Sequence, residues 1–189
     1  GKAMCWGLDL GTTSSGNTTH SLPSAVPGTN ALVFKTISVF RDHACAVTDN
    51  SDAYCWGNNA GGKLGSPSFS ASETPSVIPV APGMKFTSVV VGWDYSCGLS
   101  SGNIYCWGTY HGDGGLPSGF STPNPTLLPS TESFSFLAGG AENTCALTAG
   151  TGKAYCWGDR QHGQIGDNSS TGFTITPTPV WGSLSFSTL

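Results

Sequence analysis

Residues 42–57 read DHACAVTDNSDAYCWG. Two cysteines flank a polar centre. If Cys45 faces Cys55 across an antiparallel hairpin, Ala46 faces Tyr54, Thr48 faces Asp52, and a three-residue loop remains. The same pairing works in DYSCGLSSGNIYCWG at 94–108, where Cys97 faces Cys106 around a two-residue turn. It works again in ENTCALTAGTGKAYCWG at 142–158, where Cys145 faces Cys156 around four residues. Two, three and four are common hairpin loop lengths. The insertions fall in the turn while cysteine stays opposite cysteine. Period-two alternation then puts Tyr54 and Trp56 on one face of the second strand and Cys55 on the other. One face offers aromatic packing, the other a covalent staple, and Gly57 lets the chain leave the strand.

The closing phrase has a fourth, weaker copy, AMCWG at 3–7. Its cysteines stand at 5, 55, 106 and 156, a period near fifty residues, as in propellers and solenoids. A phenylalanine lies eleven residues before the first hairpin cysteine each time (Phe34, Phe86, Phe134), and a branched aliphatic lies eight before (Ile37, Val89, Leu137). A repeated apolar frame with variable polar filling suits stacked, half-buried sheets.

Composition agrees. Gly 27 and Pro 12, with abundant Ser and Thr, favour strands and turns over helices. Lys+Arg 7 against Asp+Glu 11 gives a net charge of −4, which argues against a nucleic-acid surface. No apolar run is long enough to span a membrane as a helix. Zinc sites usually group cysteines about two to four residues apart. Here eight to ten residues separate the partners, and His20, His43, His111 and His162 fall at different places in the repeat. The reading is therefore no metal and no cofactor, with disulfides Cys45–Cys55, Cys97–Cys106 and Cys145–Cys156, and hence an oxidising compartment.

The sequence resembles the regulator of chromosome condensation repeat family. That family's repeat reads loosely as Gly-x-x-His-(Ser/Thr)-x-Ala-Leu, a turn, a Trp-Gly phrase, a Gly-x-Leu-Gly loop and a proline-rich stretch. GWDYSCGLSSGNIYCWG and GAENTCALTAGTGKAYCWG carry the first part, GKLG at 62–65 and GQIG at 163–166 the second, and TPSVIPV and TPTPV the third. The resemblance implies an all-β fold: a β-propeller of four-stranded antiparallel blades, typically seven-bladed, of which this chain covers only about four as a partial ring. The repeats run approximately over 5–54, 55–105, 106–155 and a partial 156–189 within one propeller segment, 1–189. Cysteines at the hairpin positions, where intracellular members often have small or aliphatic residues, look like a secreted branch. Phe40 and Met4 depart from the pattern in the first repeat, and TYHGDGGLPSG departs in the third loop. The expected repeat core is Phe34, Phe86, Phe134, Phe186, Trp6, Trp56, Trp107 and Trp157.

Members of the family include a guanine-nucleotide exchange factor, an ultraviolet-B photoreceptor, β-lactamase inhibitors and ubiquitin-ligase domains, so the fold does not choose a function. Trp93 in GWDYS echoes the photoreceptor's Gly-Trp-Arg-His-Thr motif once, without its arginine. Catalytic motifs are absent: there is no Gly-x-Ser-x-Gly and no glycine loop followed by Lys-Ser/Thr. HGDGG at 111–115, with His111 and Asp113, and DRQHGQIGDN at 159–168, with Asp159, His162 and Asp167, read as blade-connecting turns. A calcium site would need about six to eight oxygen ligands. Asn17 and Asn168 head the sequons NTT and NSS. The leading expectation is a non-enzymatic, secreted scaffold that binds a protein or glycan through its loops, without nucleic acid or membrane insertion. The alternatives are a structural subunit of an extracellular filament or coat, with neighbouring copies as partners, and an exchange-factor-like regulator. The paired cysteines argue against the last, which needs an intracellular partner. GKAMC at 1–5 matches GKAYC at 152–156, so Cys5 is the orphan, unpaired or partnered outside the chain. The expectation is a segment of a longer propeller, or a first blade completed by a neighbouring chain.

Overall fold

The structure is a computed structural model that describes residues 2–8, 19–67, 73–109, 121–182 and 184–189. Among these the chain runs through β1 (Met4–Leu8), β2 (Thr19–Ala25), β3 (Phe34–Phe40), β4 (His43–Thr48), β5 (Ala53–Asn58), β6 (Glu73–Val80), β7 (Ser88–Val91), β8 (Tyr95–Ser100), β9 (Asn103–Thr109), β10 (Ser121–Leu127), β11 (Phe134–Gly139), β12 (Asn143–Thr148), β13 (Ala154–Asp159) and β14 (Phe173–Pro179). They form three four-stranded antiparallel blades, β3–β6, β7–β10 and β11–β14, after a two-stranded sheet, β1–β2. The arrangement is a partial propeller, with no closed ring among the described residues. Each blade straddles two sequence repeats, because the repeat period measured from the Cys-Trp-Gly phrase starts at the third strand.

The central hairpin of each blade pairs Cys45 with Cys55, Cys97 with Cys106 and Cys145 with Cys156, directly opposite one another. All three pairs are disulfide-bonded, and Cys5 is unpaired and buried. The faces of the strands sort as alternation requires. Cys45, Val47, Ala53 and Cys55 pack with Phe86, Val89, Val91 and Trp107 of the next blade. Cys97, Leu99, Ile104 and Cys106 pack with Phe134, Leu137, Ala146 and Trp157. Cys5 of the two-stranded sheet, with Ala3 and Val26 beside it, packs with Ala44, Ala46 and Trp56. The cysteine face of one blade is therefore always laid against the tryptophan face of the next. Full burial of Trp56, Trp107 and Trp157 is the largest hydrophobic contribution at each junction, since an aromatic side chain removes about 150–250 Å² from water.

Phe86, Phe134 and Phe186 each hook onto the hairpin turn of the preceding blade. Phe86 N–H donates to Ser51 O (2.8 Å), Phe134 to Gly102 O (2.9 Å) and Phe186 to Gly152 O (2.8 Å). Phe86 and Phe134 are buried, whereas Phe34 and Phe186 are half-buried. The expected core position Trp6 is corrected by the structure: it is 64% exposed. The reason is directional. A tryptophan of this phrase faces the preceding blade, and no described sheet precedes β1.

The glycine of the phrase has its own physical role. Gly57 and Gly108 sit at φ 105° and 102°, where the strand bulges. A Cβ there would lie 2.5 Å from Asp42 O and from Asp94 O respectively. The following residues, Asn58 and Thr109, donate their N–H groups to those same carbonyls. Only glycine permits both the left-handed turn and the close approach.

Candidate interaction surface

Antiparallel order puts the turn between the first two strands of a blade at the same end as the connection between its last two. Turns 41–42, 92–94 and 140–142 thus share one end with the long connections that leave β5, β9 and β13. The opposite end holds the short hairpin turns at 49–52, 101–102 and 149–153 and the links between blades at 26–33, 81–87 and 128–133. The longest connections are gathered at one end of a rigid arc, the usual place for recognition.

Two interactions shape that end. The Arg41 guanidinium lies over the Trp93 ring, 5.2 Å from its centroid, joining the turns of adjacent blades. Trp93 stays 41% exposed. Beside it, Lys63 from the GKLG loop is 1% exposed. Its Nζ donates to Asp42 (2.9 and 3.1 Å) and to Asp94 (2.9 Å), one acid from each blade. The loop turns at Gly62 and Gly65, both at positive φ, and buries Leu64. Its backbone is used as well: Lys63 O accepts from Ser96 Oγ (2.8 Å) and from Trp107 Nε1 (3.0 Å). In GQIG the equivalent Gln164 instead donates to Asp159 Oδ2 at 2.8 Å, while Ile165 takes the buried position of Leu64.

Ser96, His43 and Asp42 form a line that superficially resembles a hydrolytic triad. His43 Nε2 lies 3.1 Å from Ser96 Oγ, and His43 Nδ1 lies 3.5 Å from Asp42 Oδ1. The chemistry is not that of a nucleophile. Ser96 and His43 are fully buried, and the Ser96 proton is committed to the Lys63 carbonyl, so His43 is the donor in their contact rather than the base. Burial pushes the His43 imidazole below its ordinary range, with the nearby Asp42 carboxylate opposing. For Asp42 burial pushes upward, but the neighbouring His43 ring and the hydrogen bonds and charge of Lys63 outweigh it and hold the carboxyl low. The group works as a clamp between blades. The next junction repeats the logic with other residues: Tyr95, at the position of His43, donates towards Gly140 O and Asn143 O and accepts from Thr144 Oγ1 at 2.9 Å.

Of the residues singled out in the sequence, His162 and Asn168 are exposed at this loop end. Asp159 is buried, and Asp167 pairs with Arg160 at 3.0 Å. His111, Asp113 and Asn17 lie outside the described residues. Among the described residues no three His, Cys, Asp or Glu side chains converge as metal ligands, and no helix is long and apolar enough to cross a membrane. The Lys63 clamp and the Arg41–Trp93 stack had no sequence signal beyond the GKLG loop itself.

Comparison with known proteins settles the family. Models of the regulator of chromosome condensation (RCC1) repeat match residues 35–62, 50–99 and 134–164, together just over half of the chain. The chain belongs to the RCC1 repeat family. It is 31% identical over 175 residues to the ultraviolet-B receptor UVR8 of Arabidopsis thaliana, covering 88% of this chain and 39% of the receptor. Among solved structures, human WBSCR16 superposes with a TM-score of 0.80 at 19% identity, covering 95% of this chain and 48% of that one. Prp20p of Saccharomyces cerevisiae, described with its binding to Gsp1p and histones, superposes with a TM-score of 0.77 at 21% identity, covering 96% and 47%. The chain thus spans less than half the length of each of these proteins. The RCC1 propeller is a protein-interaction kind of scaffold, and the disulfides in this one suggest a non-cytosolic setting.

Proposed function

We propose that this chain is part of an extracellular, non-enzymatic RCC1-type propeller that binds a protein or glycan partner through its loop-bearing end. One observation carries the reading: every complete blade is stapled by a disulfide at the same register, while the long connections all leave from one end. Staples of this kind are kept in oxidising compartments and are rare where glutathione holds thiols reduced. The Ser96–His43–Asp42 line supports a non-enzymatic role, because its only candidate nucleophile is buried and donates its proton to a backbone carbonyl. Asn168, exposed at positive φ in the connection after β13, would carry a glycan in a eukaryotic secretory pathway, as would Asn17.

The test is a binding screen of the secreted protein against extracellular proteins and glycans, run beside Arg41→Ala/Trp93→Ala and Gln161→Ala/His162→Ala variants. The reading expects a ligand whose binding falls at least about tenfold, or about 1.4 kcal/mol, in one of these variants with thermal stability retained. Binding that survives both variants and is lost on substitution of Asn50, Ser101 or Thr151, in the hairpin turns of the far end, would overturn it.

A further inference from the structure

In each complete blade the turn between the first two strands carries a tip residue followed by an acid. The tips are Arg41, Trp93 and Ala141, and the acids are Asp42, Asp94 and Glu142. Asp42 and Asp94, next in the chain to Arg41 and Trp93, both bond the buried Lys63 ammonium. Arg41 is thereby left without a counter-charge. Of the described cations at this end, Lys63 is held by those two acids and Arg160 by Asp167. Among the described residues the exposed Arg41 guanidinium meets no carboxylate and lies over the Trp93 ring, 5.2 Å from its centroid. The Arg41 backbone sits at φ 51°, in the left-handed region that arginine seldom adopts. Both blades of this junction are complete, and Trp93 N–H is fixed to Ala141 O of the next blade at 2.8 Å.

A ring face attracts the positive charge and leaves the planar fork of N–H donors to match a carboxylate. Placing the fork over the ring before a ligand arrives lowers the ordering cost of binding. The ring is itself 41% exposed, an apolar platform beside the fork. A carboxylate joined to an apolar face fits this pair. The neighbouring acids decide which kind. With Asp42, Asp94 and Glu142 in the same row of turns, a run of anionic groups is repelled. A single carboxylate among neutral hydroxyls is not, and carboxylate oxygens accept hydrogen bonds from hydroxyls. We propose that Arg41 and Trp93 form a subsite for one carboxylate-bearing sugar residue of a glycan. The guanidinium holds the carboxylate, and the indole takes the apolar face of the pyranose ring. This rests on the loop-end reading above and names its ligand.

The test is titration of the intact protein, followed at the Trp93 indole N–H by NMR. The probes are trisaccharides ending in glucuronate, galacturonate or sialate, each beside its carboxyl-reduced counterpart. At least one acidic sugar should bind, and reducing its carboxyl should weaken binding about tenfold or more. Arg41→Gln should lose a similar factor for the acidic sugar and leave the reduced one unchanged. Arg41→Lys should not restore the loss, because an ammonium cannot reproduce the fork. Trp93→Ala, followed by calorimetry, should weaken both forms. Equal binding of the two forms, an Arg41→Gln variant that binds the acidic sugar as the parent does, or no acidic sugar bound would each overturn the proposal. Arg41-dependent binding of a poly-glutamate peptide in place of the sugars would overturn it too. The same titrations keep the two readings apart. A protein ligand lost in the Arg41→Ala/Trp93→Ala variant, with no acidic sugar bound, defeats this inference and leaves the loop end as the binding surface. An acidic sugar lost only on substitution of Asn50, Ser101 or Thr151 defeats both.

Discussion

A single lysine shows how closely neighbouring blades depend on one another. Lys63 brings its charge to a buried position and finds Asp42 from one blade and Asp94 from the next. Both acids remain partly exposed, so removing the ammonium lets them hydrate instead of stranding them. Lys63→Met should therefore cost less than the about 3–5 kcal/mol of a broken, fully buried pair, roughly 1–3 kcal/mol in urea melts. His43 makes a second prediction at this scale. Its imidazole is neutral in the fold and held below its ordinary range by burial. The unfolded imidazole titrates near about 6.5, so unfolding takes up a proton as the pH falls through that value. His43's share of stability is intact at pH 8 and declines below about 6.5. The groups facing it, Asp42 and Lys63, keep their pairing there, since Asp42 is held below the usual carboxylate range. His43→Asn, which installs the residue found at the equivalent position 143, should flatten the pH 5–8 stability profile. An unchanged slope would show that His43 is not the titrating group.

The hairpin is the element that the sequence makes most legible, for a local reason. Cysteine opposite cysteine, a loop of two to four residues and period-two alternation are all set within about fifteen residues, so register follows without tertiary knowledge. What alternation could not reveal is which sheet covers each face. Trp6 and Trp56 share a phrase, yet only Trp56 has a described sheet laid over it, and the outcome is opposite burial. The Lys63 clamp escaped for a related reason: its acids lie 21 and 31 residues away, and one lysine in a turn has no periodicity to mark it. Two predictions belong to the element. Trp107→Ala should cost about 3–5 kcal/mol, the usual range for a fully buried aromatic. Replacing both Cys97 and Cys106 with Ala should cost about 2–3 kcal/mol by loss of a short-loop crosslink. A Trp107→Ala melt indistinguishable from the parent would remove that tryptophan from the junction.

At the scale of the whole molecule, blade stacking and disulfides divide the labour. Hydrophobic junctions fix one blade on the next, as in other stacked repeats where each unit contacts only its neighbours. The disulfides hold the second and third strands of each blade in register regardless of what its loops do. That separation leaves the parts of the connections after β5 and β13 outside the GKLG and GQIG turns free to vary in length and composition, which is what a recognition surface requires. The account as a whole stands on the oxidised state of the blades in the protein's natural setting. Differential alkylation before any reduction tests it most directly: cysteines are blocked in the intact source material, then reduced and labelled with a second reagent. Cys45, Cys55, Cys97, Cys106, Cys145 and Cys156 should carry only the second label. The first label on these six residues would contradict the stapled, extracellular propeller.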